Sequence, residues 1–241
     1  MLKISTPKSW QELTPPQLRY ILTLQAKGIP SGTIQVSAFL HFAGLKIYKT
    51  EGESLRLRAG MKVYRVKASD IAMAAMALDF ITDPPTHPQL LPELAGKQAK
   101  DAELHGVPFA HYLQIENYMQ QYLRTKDSTL LTPVLALLYE GNLQEQDIDD
   151  TARYMVLHWY NGLKPFLAQT FPDLFRPATS GAEAEEPDLR EIMLAQIRAL
   201  TGGDVTKEEQ VLNVDTWTAL AELNAKAREA KEVNKMYNKK S

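Results

Sequence analysis

One segment constrains the fold of this chain more than any other: LHGVPFAHYLQIENYMQQYLRTKDSTLLTPVLALLYE, residues 104–140. It joins two helical patterns across the polar turn Lys126-Asp127-Ser128. In the first, Tyr112, Ile115, Met119 and Tyr122 recur at i, i+3, i+7 and i+10 and line one face, while Gln114, Glu116, Asn117 and Gln121 hold the other. In the second, Leu130, Leu131, Val134, Leu135, Leu137 and Leu138 leave no polar face, so that helix is predicted to be buried on all sides. This segment organises a fold and carries no chemistry of its own.

A chain of 241 residues is long enough for one sizeable core or for a core with an appended module. The net charge is only −2, so no global field draws the chain to nucleic acid or a membrane, and any such attraction must come from a local patch. With no cysteine, disulfides, thiolate nucleophiles and cysteine-ligated zinc are excluded, and a reducing compartment is permitted. The start, MLKISTPKSWQEL, lacks the apolar core of a secretory signal, and no window approaches the roughly 18 apolar residues of a membrane span. A soluble, cytoplasmic protein without membrane contact is expected.

Thr14-Pro15-Pro16-Gln17 reads as a helix entry, with Thr14 as cap, Pro15 at the first helical position and Gln17 where a capping box places it. Leu18, Ile21 and Leu22 continue the pattern until Gly28, which suits a left-handed cap. A second helix is predicted from about Ser31 to Phe42, stopped at Gly44, with His41 as a core or boundary histidine. From 45 to 67 the period falls to 2: Leu55 and Leu57 alternate with Arg56 and Arg58, and Val63 with Lys62 and Tyr64, a hairpin signal to which Leu45, Ile47 and Tyr48 add a candidate third strand. Seven basic residues meet two acidic ones here. Lys46, Lys49, Arg56, Arg58, Lys62 and Arg65 are therefore candidate phosphate ligands. Lys and Arg on a sheet edge also guard against strand-to-strand aggregation, and that reading takes precedence, so nucleic acid is not the expected partner.

A helix capped by Ser69 should follow, with Met73 and Met76 as core filler. Residues 83–107 carry four prolines and two glycines and predict an irregular connection of a length that is uncommon in compact domains. Acidic residues Glu145, Asp147, Asp149 and Asp150 gather where a helix start favours negative charge, and Gly162 and Pro165 are expected to interrupt that helix. Residues 176–187 have the composition of a linker. The chain therefore reads as mainly α: a helical core domain at 1–175 with one small antiparallel β-hairpin, the linker, and a C-terminal helical module at 188–241. Its last helix opens at about Asp215 and turns almost wholly charged after Asn224, keeping Val233, Met236 and Tyr237 as a thin seam. These three, with Trp217 near the head of the helix, are the candidate partner-binding residues.

No nucleophile elbow, phosphate-binding loop, dinucleotide fingerprint or zinc-protease helix motif occurs. The nearest approach to a ligand cluster is Glu103, His105 and His111, which straddles a loop and lacks a fourth donor. No metal or cofactor is expected. The runs SWQELTPPQLRYIL and PFAHYLQIENYMQQYLRTKDSTLLTPVLALLYE, with the C-terminal ALTGGDVTKEEQVLNVDTWTALAELNAKAREAKE, resemble uncharacterised proteins of prophage and phage-tail gene clusters of Bacteroidota. That resemblance implies a non-enzymatic interaction protein of tail assembly, chaperoning the tape-measure protein, and it assigns no functional residue. The partner would be a tape-measure or tail protein, or a second copy of the chain. The alternatives are a nucleic-acid-binding protein using the basic hairpin and a hydrolase with an unrecognised site.

Overall fold

The computed structural model describes residues 6–141, 143–175 and 189–238, so the expected linker at 176–187 lies outside it. The helices are α1 (Pro15–Ala26), α2 (Ser31–Phe42), α3 (Ala68–Ala75), α4 (Phe109–Thr125), α5 (Leu131–Leu138), α6 (Asp150–Thr170), α7 (Leu189–Thr201), α8 (Glu208–Leu212) and α9 (Thr216–Asn238). The strands are β1 (Lys46–Glu51), β2 (Ser54–Ala59), β3 (Lys62–Lys67), β4 (Glu93–Leu94) and β5 (Lys97–Gln98). The protein is thus mainly α, as its periodicities predicted. The residues group into two compact units: Met1–Pro85 with Ile148–His158, and Thr86–Asp147 with Trp159–Ser241.

In the first unit the N-terminal signals act as their chemistry predicts. The Thr14 amide donates to Gln17 Oε1 at 2.9 Å, Pro15 and Pro16 occupy the first turn, and α1 ends beside Gly28 at φ +68°, where a side chain would strain the backbone. Leu18, Ile21 and Leu22 of α1 and Ile34, Ala38 and Phe39 of α2 are buried. The expected hairpin gains its third strand, in the antiparallel order β1-β2-β3. Two expectations are corrected. The helix predicted from Ser69 begins at Ala68 and passes into a 3-10 stretch over Met76–Thr82, burying Ile71, Ala75, Leu78 and Ile81. Met73 and Met76 fall on the other side and stay 71% and 64% exposed, so they fill no core. His41 likewise is exposed, its ring stacked on Tyr20 at 3.9 Å.

The first turns of α6 complete this unit. Asp149 caps the helix by accepting from the Ala152 amide at 2.7 Å, as its acidic start predicted. Ala152, Met155 and Val156 enter the core, and His158 is buried beside Trp10 with ring centroids 4.4 Å apart. No hydrogen bond reaches its Nε2, and burial lowers its pKa from 6.5 to about 4.

In the second unit α4 and α5 form the predicted pair, burying Phe109, Tyr112, Ile115 and Met119 from one and Leu131, Val134, Leu135 and Leu138 from the other. The polar face assigned to α4 fails at Glu116, which is buried. Gly162 and Pro165 do not interrupt α6. A Cβ at Gly162 would collide with the His87 carbonyl, so glycine is required by a close backbone approach and not by a helix end. Pro165 is exposed, as is Asn161 four residues before it, where water can satisfy the freed carbonyl.

The segment predicted to be irregular is tied down throughout. β4 and β5 form a two-residue hairpin within it, Ala99 bridges to Tyr139, and Leu91, Leu94, Leu104 and Val107 are buried. Its end is joined to the head of α9: the Phe109 amide donates to Val214 O and the Thr216 amide to Val107 O, each at 2.8 Å, and the Gly106 amide to Asp215 Oδ2 at 2.6 Å. Asn224 Oδ1 accepts from the Asp173 and Leu174 amides at 2.9 and 3.0 Å. The C-terminal helices therefore share a unit with residues 86–147.

His158 binds a proton more readily in the unfolded chain than in the fold, so the fold gains stability above pH 6.5 and loses it as pH falls through 6.5 toward about 4. The full effect amounts to about 3 kcal/mol. Urea unfolding between pH 7 and pH 4 should show that loss, and His158→Phe, which cannot titrate, should flatten this part of the profile.

Candidate functional site

The sequence candidates on α9 separate into two environments. Near its start the Trp217 ring lies between partners of its own unit: His105 stacks on it at 4.1 Å, Phe171 meets it edge-on at 5.3 Å, and its indole N–H donates to Glu103 O at 2.6 Å. Trp217 is half-buried and held by contacts within its own unit, which the sequence did not signal because Glu103 and Phe171 lie far from it along the chain. Ala219, Leu220 and Leu223, further along the helix, are buried. Beyond Ala227 every described side chain of α9 is exposed. Val233, Met236 and Tyr237, at i, i+3 and i+4, are 50%, 65% and 70% exposed and share one face, roughly 24 Å along the axis from Trp217 at 1.5 Å per residue. Lys231 tethers this half through an ion pair with Asp173 at 3.2 Å, an exposed contact of the kind that contributes little.

On the three-stranded sheet the basic candidates are all exposed. Glu51 pairs with Lys49 Nζ at 2.9 Å and Arg56 Nε at 3.2 Å; the Lys49 bond, followed by Arg56 and Arg65, holds its carboxyl below the usual carboxylate range. Arg58 Nε donates to Gly60 O at 2.9 Å. Lys46 and Lys67 have no ion-pair partner among the described residues.

A charged cluster at a cavity of the second unit was missed in the sequence. A pocket of about 240 Å³ is lined by Tyr112, Glu116, Lys164, Phe175, Ile192 and Met193, among others. Glu116, buried at its side, accepts from Lys164 Nζ at 3.1 Å and from the Tyr160 hydroxyl at 3.1 Å. Burial, and then the Glu116 charge, push the Tyr160 phenol far above its ordinary range, and burial does the same for Tyr112. Both phenols therefore stay protonated. The carboxylate is balanced by the Lys164 ammonium and hydrogen-bonded by the Tyr160 phenol, so the three groups together satisfy a charge beneath α4. A signal was present, since Glu116 stands four residues from Tyr112 and three from Met119, inside the apolar stripe. Its partner Lys164 lies 48 residues on and could not be read.

The Glu103, His105 and His111 set comes together only in part. His105 Nδ1 lies 3.0 Å from Asp101 Oδ1 and 3.9 Å from Glu103 Oε2, while no hydrogen bond joins His111 to either; burial, then Lys100, lower the His111 pKa. Among the described residues no group of three or more His, Cys, Asp or Glu side chains is placed to hold a metal ion, and no helix is long and apolar enough to cross a membrane. The chain matches no known protein-family model, no curated protein and no solved structure.

Lys164→Met should destabilise the fold by roughly 2–4 kcal/mol, because it leaves a carboxylate in a largely dry site. Adding Glu116→Gln should recover most of that loss, a non-additivity that a urea-unfolding double-mutant cycle reads directly.

Proposed function

We propose that this chain is a non-enzymatic interaction protein of phage-tail assembly type, which holds a helical segment of a tape-measure-like partner against the exposed end of α9. The observation that carries the reading is the split character of that helix: its first turns are fixed in a core, and its last turns present Val233, Met236 and Tyr237 to solvent. An apolar stripe at i, i+3 and i+4 on an otherwise charged helix is the pattern by which helices register against one another. The flanking Lys, Glu, Asn and Arg side chains suit a water-facing rim around such a seam and leave the partner to supply the rest of the apolar surface. The resemblance of the central and C-terminal runs to proteins of tail gene clusters supports the choice of partner. A seam of three side chains, each worth only about 1.5–3 kcal/mol at full burial, suits capture that is later released, as assembly requires.

Co-expression of the full chain with a tape-measure protein, followed by affinity purification, tests this. Replacing Val233, Met236 and Tyr237 with Ser should weaken capture at least about tenfold. The thermal midpoint of the isolated chain should stay nearly unchanged, since the three side chains bury little in it. A triple variant that captures the partner as the parent does removes α9 from the function.

A further inference from the structure

The pairing register of the three-stranded sheet sorts its charges by face, which the sequence alone does not. Residues directly opposite one another share a face, and faces alternate along each strand. On one side of β2, Lys46 pairs with Arg58 and Lys49 with Arg56; on the other, Arg56 pairs with Arg65 and Ser54 with Lys67. Lys46, Lys49, Arg56, Arg58, Arg65 and Lys67 therefore stand on one face, with Glu51 as its single carboxylate. The opposite face carries Leu55, Leu57, Tyr64 and Val66 and buries Leu57. Lys62, paired with Ala59, falls on that side as well.

A bulge completes the arrangement. The register shifts between Ile47 and Lys49, so that Tyr48 is an extra residue in β1. Without it Lys49 would alternate onto the apolar face; with it, Lys49 lies opposite Arg56 among the other cations.

Edge protection accounts for only part of this face. A guard against strand addition belongs on the edge strands, whereas Arg56 and Arg58 sit on β2, which is paired on both sides. Lys46 with Arg58 and Arg56 with Arg65 are like charges directly opposite one another, an arrangement that costs stability in the free protein, while Glu51 offsets the pair of Lys49 and Arg56. A polyanion relieves that repulsion. Tyr64 is on the other face, so Tyr48 of β1 is the one tyrosine the strands leave for stacking, and the repeated cations suit a phosphate backbone. A six-residue strand is about 20 Å long, a distance over which a duplex presents about a dozen phosphates.

We propose that this face of the sheet binds the phosphate backbone of double-stranded DNA without selecting sequence. The edge-guard argument that sets nucleic acid aside fails at β2, which has no free edge.

The test is fluorescence anisotropy of the full chain with a labelled duplex of roughly 20 base pairs, between about 50 and 200 mM salt. Binding should weaken with salt along a log–log slope of about −4 to −5, as expected for five or so phosphate contacts. Arg56→Gln with Arg65→Gln should cut affinity at least about tenfold and the slope by about 2 while changing the thermal midpoint little, because it removes a repulsive pair together with the exposed Arg56–Glu51 ion pair, which contributes little. Glu51→Gln should tighten binding, and Lys62→Gln, on the other face, should leave it within about twofold. The proposal is overturned by absence of binding at the lowest salt, by a double variant that binds as the parent does, or by Lys62→Gln weakening binding as much as the double variant. Tighter binding to phosphatidylcholine vesicles containing about one-third phosphatidylserine than to the duplex would also overturn it and assign the face to lipid headgroups.

Discussion

The carbonyl groups of the irregular segment 86–108 set the terms for the second unit. A buried backbone acceptor without a donor costs as much as a lost hydrogen bond, and this segment offers no regular ladder beyond the two residues each of β4 and β5. Three aromatic donors answer that need: the Tyr139 hydroxyl reaches Leu91 O at 2.8 Å, the Trp159 indole Ala102 O at 2.8 Å, and the Trp217 indole Glu103 O at 2.6 Å. Each ring also buries apolar area, so one side chain supplies both a donor and packing. The donors come from the end of α5, from α6 and from α9, which is why an irregular segment fastens three helices at once.

For α9 the consequence is asymmetry. Trp217, Thr216 and Asp215 fix its head on residues 103–107, and Asn224 fixes its middle on the turn after α6. Among the described residues nothing comparable holds the turns that carry Val233, Met236 and Tyr237, so a rigid base presents a solvent-facing end. That combination favours a partner, because the helix is already formed and oriented and little conformational entropy is lost when it is covered. The basic sheet belongs to the other unit and follows a different logic, in which pleat, register and one bulge gather charge that sequence spacing leaves scattered.

Periodicity and capping residues made most of the helices legible. Thr14 to Gln17 and Gly28 bounded α1 by local chemistry, and the leucine run marked α5 as a buried helix, although Leu130 and Leu137 are only half-buried, so it is not covered on all sides. What escaped were decisions taken by distant residues. Gly162 resembled a helix break, yet it is required by the His87 carbonyl. Glu116 looked solvated until Lys164 and Tyr160 were seen against it. Met73 and Met76 have core composition, but α3 exhausts its buried face on Ile71 and Ala75. At the candidate surfaces Val233, Met236 and Tyr237 are exposed as their spacing implied, whereas Trp217 was claimed by Glu103 and His105. The common face of six cations was invisible before the pairing register was known.

Hydrogen exchange along α9 tests its division into a fixed head and an exposed end most directly. In the isolated full chain, amides from 216 to 224 should exchange at least about a hundredfold more slowly than those from 228 to 237, and binding of the proposed partner should slow the latter group alone. Equal protection of both halves in the isolated chain, or no change in residues 228–237 on partner capture, would contradict it.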